Sequence, residues 1–474
     1  MLLPCLVQGA LKPYTGAAPS LPDRAPFGFG SAATGGGEPT AKNTYLVDNM
    51  PDLREALKMD TPRVVYVKGE IAGAQINASY TADCQYYIDE GKPEFNFTKY
   101  VQSYDDDYMA DLKKAAEAGS EFEGQNATEL LSLMNHQNGW RSAVQNVQKK
   151  YESIDVPGNL TLIGWDKDAY LHGVSLNFNV KSNIIMRNLR LSSPKDCFPA
   201  PETFPGSWNA RYDAVSMVTT HTVWFDGNIF EDGPVAVAPE KFLGGWEVDR
   251  YDGMFDAEDG SDNITFSHNI VANHHKSLMW GGGEKEGDRD IGKMHFTMFG
   301  NHFMNSLSRN PLMRFGTFYI LNNVFAMHTS DNSSYNPNFI SHFGVYNQSQ
   351  VLLAGNAFEH DDAKEASRIF VYSDLATPEN PAKLCVPADL ANAPSALKAF
   401  TTGSTLNGEA LNLTETAETA FASYIKDSDD SVAGGLATTC EGFTAQEVPQ
   451  SFKSADEVAA YVKKNAGQVG RAVP

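Results

Sequence analysis

No stretch of the 474-residue chain approaches the roughly 18 consecutive apolar residues that a membrane-crossing helix needs, so a protein threaded through a bilayer by helices is excluded. Positive charge is scarce too. Lys and Arg number 37 against 59 Asp and Glu, a formal charge of −22, which argues against a nucleic-acid partner because phosphate binding needs a basic surface. The same deficit opposes any anionic polymer, unless a few basic side chains or a bound cation reverse the sign locally. Cysteine is rare, with five in the chain. Cys5 lies in the short apolar start, which leaves Cys84, Cys197, Cys385 and Cys440, and four cysteines permit three pairings.

Apolar residues make up 42% of the chain, enough for a large core. Asn-x-Ser/Thr sequons occur at Asn77, Asn96, Asn126, Asn159, Asn263, Asn332, Asn347 and Asn412. Eight such sites among 33 asparagines exceed the roughly four or five expected by chance and fit an exported, glycosylated chain. The start is a poor signal peptide, with no basic residue before its apolar stretch, a Pro4, and Lys12 on the wrong side. Residues 1–26 are therefore read as a leader with an incomplete signal segment, and 27–474 as one domain. A secreted monomer is the expectation.

Two textures alternate along that domain. Leu53–Leu57 has helical spacing and Val64–Val67 reads as a buried strand. Residues 100–150 place Leu112, Ala115, Ala116, Leu130, Leu131 and Leu133 among Lys, Glu and Gln at helical intervals, which predicts a helical excursion packed on the main body. From about 159 to 360 the period drops to two. Val174, Leu176, Phe178 and Val180 alternate, as do Ile264 with Phe266, Met294 with Phe296 and Met298, and Phe318 with Ile320. The runs end in an asparagine followed by apolar residues, at Asn188, Asn228, Asn269, Asn301, Asn323 and Asn356, spaced 40, 41, 32, 22 and 33 residues apart. A short minimum with variable excess predicts one solenoid turn plus loops of different length. Asparagines at one place in each turn can hydrogen-bond along the axis. The fold class expected is all-β, a single-stranded right-handed parallel β-helix with helical excursions. Ser454 and Glu457 ahead of Val458, with Gly467 beyond, predict a C-terminal helix.

Two clusters inside the repeat could carry chemistry. Asp213, Asp252 and Asp256 are acidic; Lys276, Arg309 and Arg314 are basic. Equivalent places in successive turns stack about 5 Å apart, so residues a hundred positions apart can line one groove. Asp252 and Asp256 would lie about 13 Å apart on a straight strand and share an ion only if the chain turns near Gly253. Asp105–Asp107 reads as a solvated charge run. His221, His268, His295 and His302 have no shared metal spacing, and turn or core roles are expected for them.

The chain resembles the family 1 polysaccharide lyases, specifically the pectate lyases of fungi and bacteria. The resemblance is carried by Thr81-Ala-Asp-Cys84, Asp196-Cys-Phe-Pro199, Trp208-Asn209 with Tyr212-Asp213, Val223-Trp-Phe-Asp226, Asp252-Gly-Met-Phe-Asp256, His275-Lys-Ser277 and Arg309-Asn-Pro-Leu-Met-Arg-Phe-Gly316. It implies calcium-dependent β-elimination on α-1,4-polygalacturonate, with Asp213, Asp252 and Asp256 at calcium-binding positions. Lys276, Arg309 and Arg314 match the basic positions of the cleft, Arg309 that of the base. Arginine's ordinary pKa above roughly 12 then implies a rate rising into the alkaline range. Departures are Arg211, where close relatives usually carry an acidic residue, Tyr251 in place of histidine, and Trp280 in place of a smaller aliphatic residue. Arg211 beside Asp213 opens an alternative, a calcium-independent lyase of methyl-esterified pectin in which the guanidinium replaces the ion. A catalytically silent, pectin-binding β-helix is a further alternative. A polygalacturonate hydrolase would need paired acid and base carboxyls, and no such motif is found.

Overall fold

The computed structural model of the chain describes residues 11–77, 79–203, 207–233, 239–242, 245–328, 339–361, 367–373, 380–427 and 435–471. Three long sheets run side by side through them. The first has 11 strands, from Thr44–Val47 to Leu436–Thr438; the second has 10, from Glu70–Ala72 to Glu409–Leu411; the third has 8, from Ser153–Asp155 to Phe370–Tyr372. The chain visits them in rotation, as in His221–Asp226, Ile229–Glu231 and Phe255–Glu258, followed by the next coil at Asp262–Ser267, Ile270–Lys276 and Leu278–Trp280. Neighbouring strands pair in parallel, except the last pair of the second sheet, Ser404–Leu406 with Glu409–Leu411. This is a parallel β-helix.

The period-two pattern sets the interior. Along the first sheet Ile184, Val223, Ile264, Phe296, Phe318, Val351 and Leu384 lie in register and all are buried. A stack of seven such side chains removes most of their surface from water, at about 1.5–3 kcal/mol for each fully buried large side chain. On the second sheet Phe303, Phe325 and Phe358 stack with centroids 4.9 and 5.2 Å apart. Trp280, the unusual residue of the third sheet, points into the core and stacks on Phe296 at 4.5 Å. Val180 breaks the predicted alternation: the strand ends at Asn179, and Val180 is 69% exposed with φ +54°.

The corner between the first and second sheets holds the asparagine ladder. Asn228, Asn269, Asn301 and Asn323 each donate from Nδ2 to the Oδ1 of the next coil's asparagine at 2.9, 3.2, 2.9 and 3.1 Å, ending at Asn356. Each Oδ1 also accepts a backbone N–H from the preceding coil, and each Nδ2 reaches a strand carbonyl. Asn188 is not a member. Pairing of Arg190 with Ile229 places Leu189, not Asn188, opposite Asn228, and Asn188 turns instead to Gly164 O and Val469 N.

Between Cys84 and Glu152 four helices, Cys84–Gly91, Phe97–Gln102, Asp106–Glu117 and Ala127–Glu152, leave the solenoid. Asp105 is not idle charge: its carboxylate caps the third of these, accepting from Tyr108 N at 3.0 Å, while Asp106 and Asp107 sit favourably at the positive end of the helix dipole. Asn96 and Asn126, both sequon residues, cap their helices the same way. The disulfides are Cys84–Cys197, which ties the helices to the loop after the second sheet, and Cys385–Cys440. The terminal helix Ala455–Asn465 is capped by Ser454, as its sequence predicts. No helix among the described residues is long and apolar enough to cross a membrane.

Candidate active site

Long loops enter at the corner where the second sheet hands over to the third, and all six candidate side chains stand there or just beyond. Asp213 precedes the strand Val215–Val218, and Asp252 precedes Phe255–Glu258, which contains Asp256. Lys276 ends the strand Ile270–Lys276; Arg309 and Arg314 flank Leu312–Met313. Arg309 takes a left-handed backbone at φ +58°, costly for a branchless cationic residue in a helix or strand and tolerated here where the chain turns between sheets.

Lys276 is the centre of the polar contacts. Its ammonium lies 3.2 Å from Asp252 Oδ1 and 3.4 Å from Asp249 Oδ2, and it donates to Asn209 Oδ1. Burial opposes its charge, yet Asp252 and Asp249 outweigh that and raise its pKa. His275 Nδ1 holds Asp249 Oδ2 at 3.2 Å, and burial of Asp249 is more than offset by His275 and Lys276, so its pKa is lowered. Lys276, Arg309 and Arg314 together line a cleft of about 330 Å³ that also includes His275, Leu312 and Tyr346. Arg314 donates to Gly281 O at 2.7 Å and lies over the Tyr346 ring at 4.7 Å.

The acidic side of the corner is built differently. Asp256 is 6% exposed and accepts from Met279 N at 3.0 Å. Burial pushes its pKa up to about 7, partly countered by Arg309 and reinforced by Asp252. Asp213 is pushed well above the ordinary carboxyl range by burial and by the Asp256 and Asp252 charges, and its Oδ1 is buried without a hydrogen-bond partner. Like charges held together out of water with an acceptor oxygen unused suit a hard cation. The chain bends at Met254, just after Gly253, and a Cβ on Gly253 would come within 2.5 Å of Asp256 Oδ1, so glycine there lets the carboxylate lie against the backbone. Asp252, by contrast, is engaged with Lys276, and no group of three or more acidic, histidine or cysteine side chains among the described residues forms a ready-made metal cage. The donor set fits a cation that completes its shell from outside the protein.

The guanidinium of Arg211 turns to the helical excursion. Its guanidinium donates to Gln145 Oε1 of the long helix at 2.9 Å, and its backbone N–H donates to Asp196. Sequence reasoning assigned no role to Asn209, Asp249 and His275. The first and last fall within the matching motifs, and Asp249 lies three residues before Asp252; their only further signal is that each is polar next to a candidate.

The pectate lyase family profile matches residues 105–438. The pectate lyase of Bacillus subtilis (strain 168) is 29% identical over 354 residues, 73% of this chain and 77% of that protein. Pectate lyase E of Dickeya dadantii is 32% identical over 220 residues, 46% of this chain and 54% of that one, so the match spans about half of this relative. A thermostable pectate lyase superposes with a TM-score of 0.71 at 25% identity, covering 93% of this chain and 96% of the other. A pectate lyase bound to a hexasaccharide gives 0.69 at 24%, with the same coverage, and supports the fold.

Proposed function

The chain belongs to the pectate lyase family, and from that premise we propose that it is a secreted pectate lyase, cleaving α-1,4-polygalacturonate by calcium-assisted β-elimination. The observation that carries the reading is the meeting of Lys276, Arg309 and Arg314 in one cleft, beside the half-buried Asp213 and the buried Asp256. A structural relative holds a hexasaccharide, which supports an oligosaccharide-sized occupant for this groove. The sequons and the two disulfides support export as a glycoprotein.

Elimination removes the C5 proton, α to the uronate carboxylate. The C5–H electron pair becomes the C4–C5 double bond, the C4–O bond breaks, and the departing glycosidic oxygen takes up a proton to leave a hydroxyl. No water is consumed. Arg309 is assigned the C5 proton, and its fixed place between the sheets sets the approach. Lys276 and Arg314 face the uronate carboxylate and stabilise the charge that develops on it, an effect worth most in a site shielded from water. Asp249 and Asn209 hold the Lys276 ammonium in place, and His275 in turn holds Asp249. Asp213 and Asp256, with Asp252 nearby, would hold calcium, which when bound would supply Lewis acidity toward the uronate. The basic side chains, with the ion when bound, would reverse the sign of a protein of charge −22 inside the cleft. Engagement of Arg211 by Gln145 weighs against a guanidinium standing in for the ion.

Absorbance of the conjugated alkene, followed on polygalacturonate at mildly alkaline pH with calcium and then with chelator, tests the reading. Product that chelator abolishes is expected. Product indifferent to chelator would favour the calcium-independent pectin lyase, and no product on pectate or methylated pectin would favour a binding protein.

A further inference from the structure

Beyond the basic cleft lies a second, larger cavity of about 810 Å³, formed where the helix Leu413–Asp427 packs across the end of the third sheet. Val371, in the strand Phe370–Tyr372, lines both cavities. Leu312 pairs with Gly344, and Gly344 with Val371, so the second cavity begins two strand spacings, about 10 Å, from the strand that Arg309 and Arg314 flank. A polysaccharide chain laid along the third sheet from the basic cleft runs directly into it.

The two stretches of groove differ in chemistry. The first presents Lys276, Arg309 and Arg314. Among the described residues that line the second there is no Lys, Arg or His; their polar groups are hydroxyls and an amide, among them Thr416, Thr419 and Ser423, with Tyr424 and Phe370 as apolar faces and Glu415 as the one charge among them. A free uronate carboxylate entering there would lose hydration without meeting a cation and would face Glu415. An uncharged sugar meets hydroxyl partners and an aromatic wall, the usual mix for carbohydrate.

We propose that this cavity is a neutral subsite for methyl-esterified galacturonosyl units of the same polymer. It rests on the lyase reading above. The basic cleft takes the free uronate at which the bond breaks, and the neutral cavity takes esterified units a few positions along, so the preferred substrate is partly methylated pectin rather than fully charged pectate.

The test compares kcat/KM on polygalacturonate and on randomly, partly methyl-esterified pectin. The enzyme is made without N-glycans, because Asn412 at the cavity lies in a sequon. The wild type is expected to be several-fold more efficient on the partly esterified polymer. Thr419→Lys, and independently Glu415→Lys, both at exposed helix positions, should raise KM for the esterified polymer severalfold, lower it for polygalacturonate, and so reverse the preference. Mass spectrometry of the products should find methyl esters enriched at a fixed distance from the newly formed end. Equal or lower efficiency on esterified pectin in the wild type, or variants that shift both substrates alike, would overturn the neutral subsite while leaving the lyase reading intact. No unsaturated product from either polymer would overturn both.

Discussion

Two corners of the same coil treat polar groups in opposite ways. At the bend between the first and second sheets, Asn228, Asn269, Asn301, Asn323 and Asn356 saturate one another and the surrounding backbone over four steps. At the bend between the second and third, the chain buries the Oδ1 of a half-buried Asp213 without a hydrogen-bond partner, crowds it with Asp256 and Asp252, and sets three cationic side chains opposite. The first corner has everything it needs from within and is structure. The second leaves the Oδ1 of Asp213 without a hydrogen bond, the feature on which the proposed cation site rests.

That contrast can be broken from either side. Arg309→Ala should lower kcat on polygalacturonate by about 10³-fold, the scale of losing a positioned base, with the thermal midpoint unmoved. Asn301→Ala should do the reverse. It strips Asn269 N–H and the Asn323 and Asn269 amides of partners, so unfolding in denaturant should cost roughly 3 kcal/mol less while kcat stays near wild type. Gly253→Ala pushes a Cβ against Asp256 and should raise the calcium concentration for half-maximal activity by about tenfold, read from calcium titrations of the rate.

The smallest effect concerns a third polar contact, buried away from both corners. His342 and His360 face each other at 2.8 Å; burial lowers both pKa values from the ordinary 6.5, that of His360 to about 4. The unfolded chain therefore binds protons first. Stability is intact above 6.5 and is lost as pH falls from there toward 4. With calcium saturating, the thermal midpoint should decline across that window, and His360→Gln should flatten the decline.

Much of this was legible in advance, for identifiable reasons. A coil repeat shows itself because period-two burial and the ladder asparagines recur at one place in every turn. It misleads by a residue where a turn also uses asparagine, as at Asn188, whose side chain serves a left-handed bend instead. Val180 continues the alternation on paper but falls past the strand's end. Charge in the sequence says nothing of direction: Arg211 is next but one to Asp213 along the chain, yet it points to Gln145, whose place is fixed by the helical excursion. Asp249 and Asn209 matter through Lys276, and contacts made across 27 and 67 positions have no spacing to betray them.

The central claim is that the second corner is held open for a cation. Burial raises the pKa of Asp256 to about 7 and that of Asp213 in the same direction, so what these two carboxyls contribute to the stability of the cation-free fold is fully present below the ordinary 3.8 and is lost as pH rises through 7. The most direct test is the thermal midpoint of chelator-treated protein titrated with calcium at pH 8 and pH 5, for wild type and Asp213→Asn. The account predicts a calcium-induced rise in the wild type, larger at pH 8 than at pH 5, and little or none in the variant. A wild-type midpoint indifferent to calcium at pH 8, or an equal rise in Asp213→Asn, would contradict it.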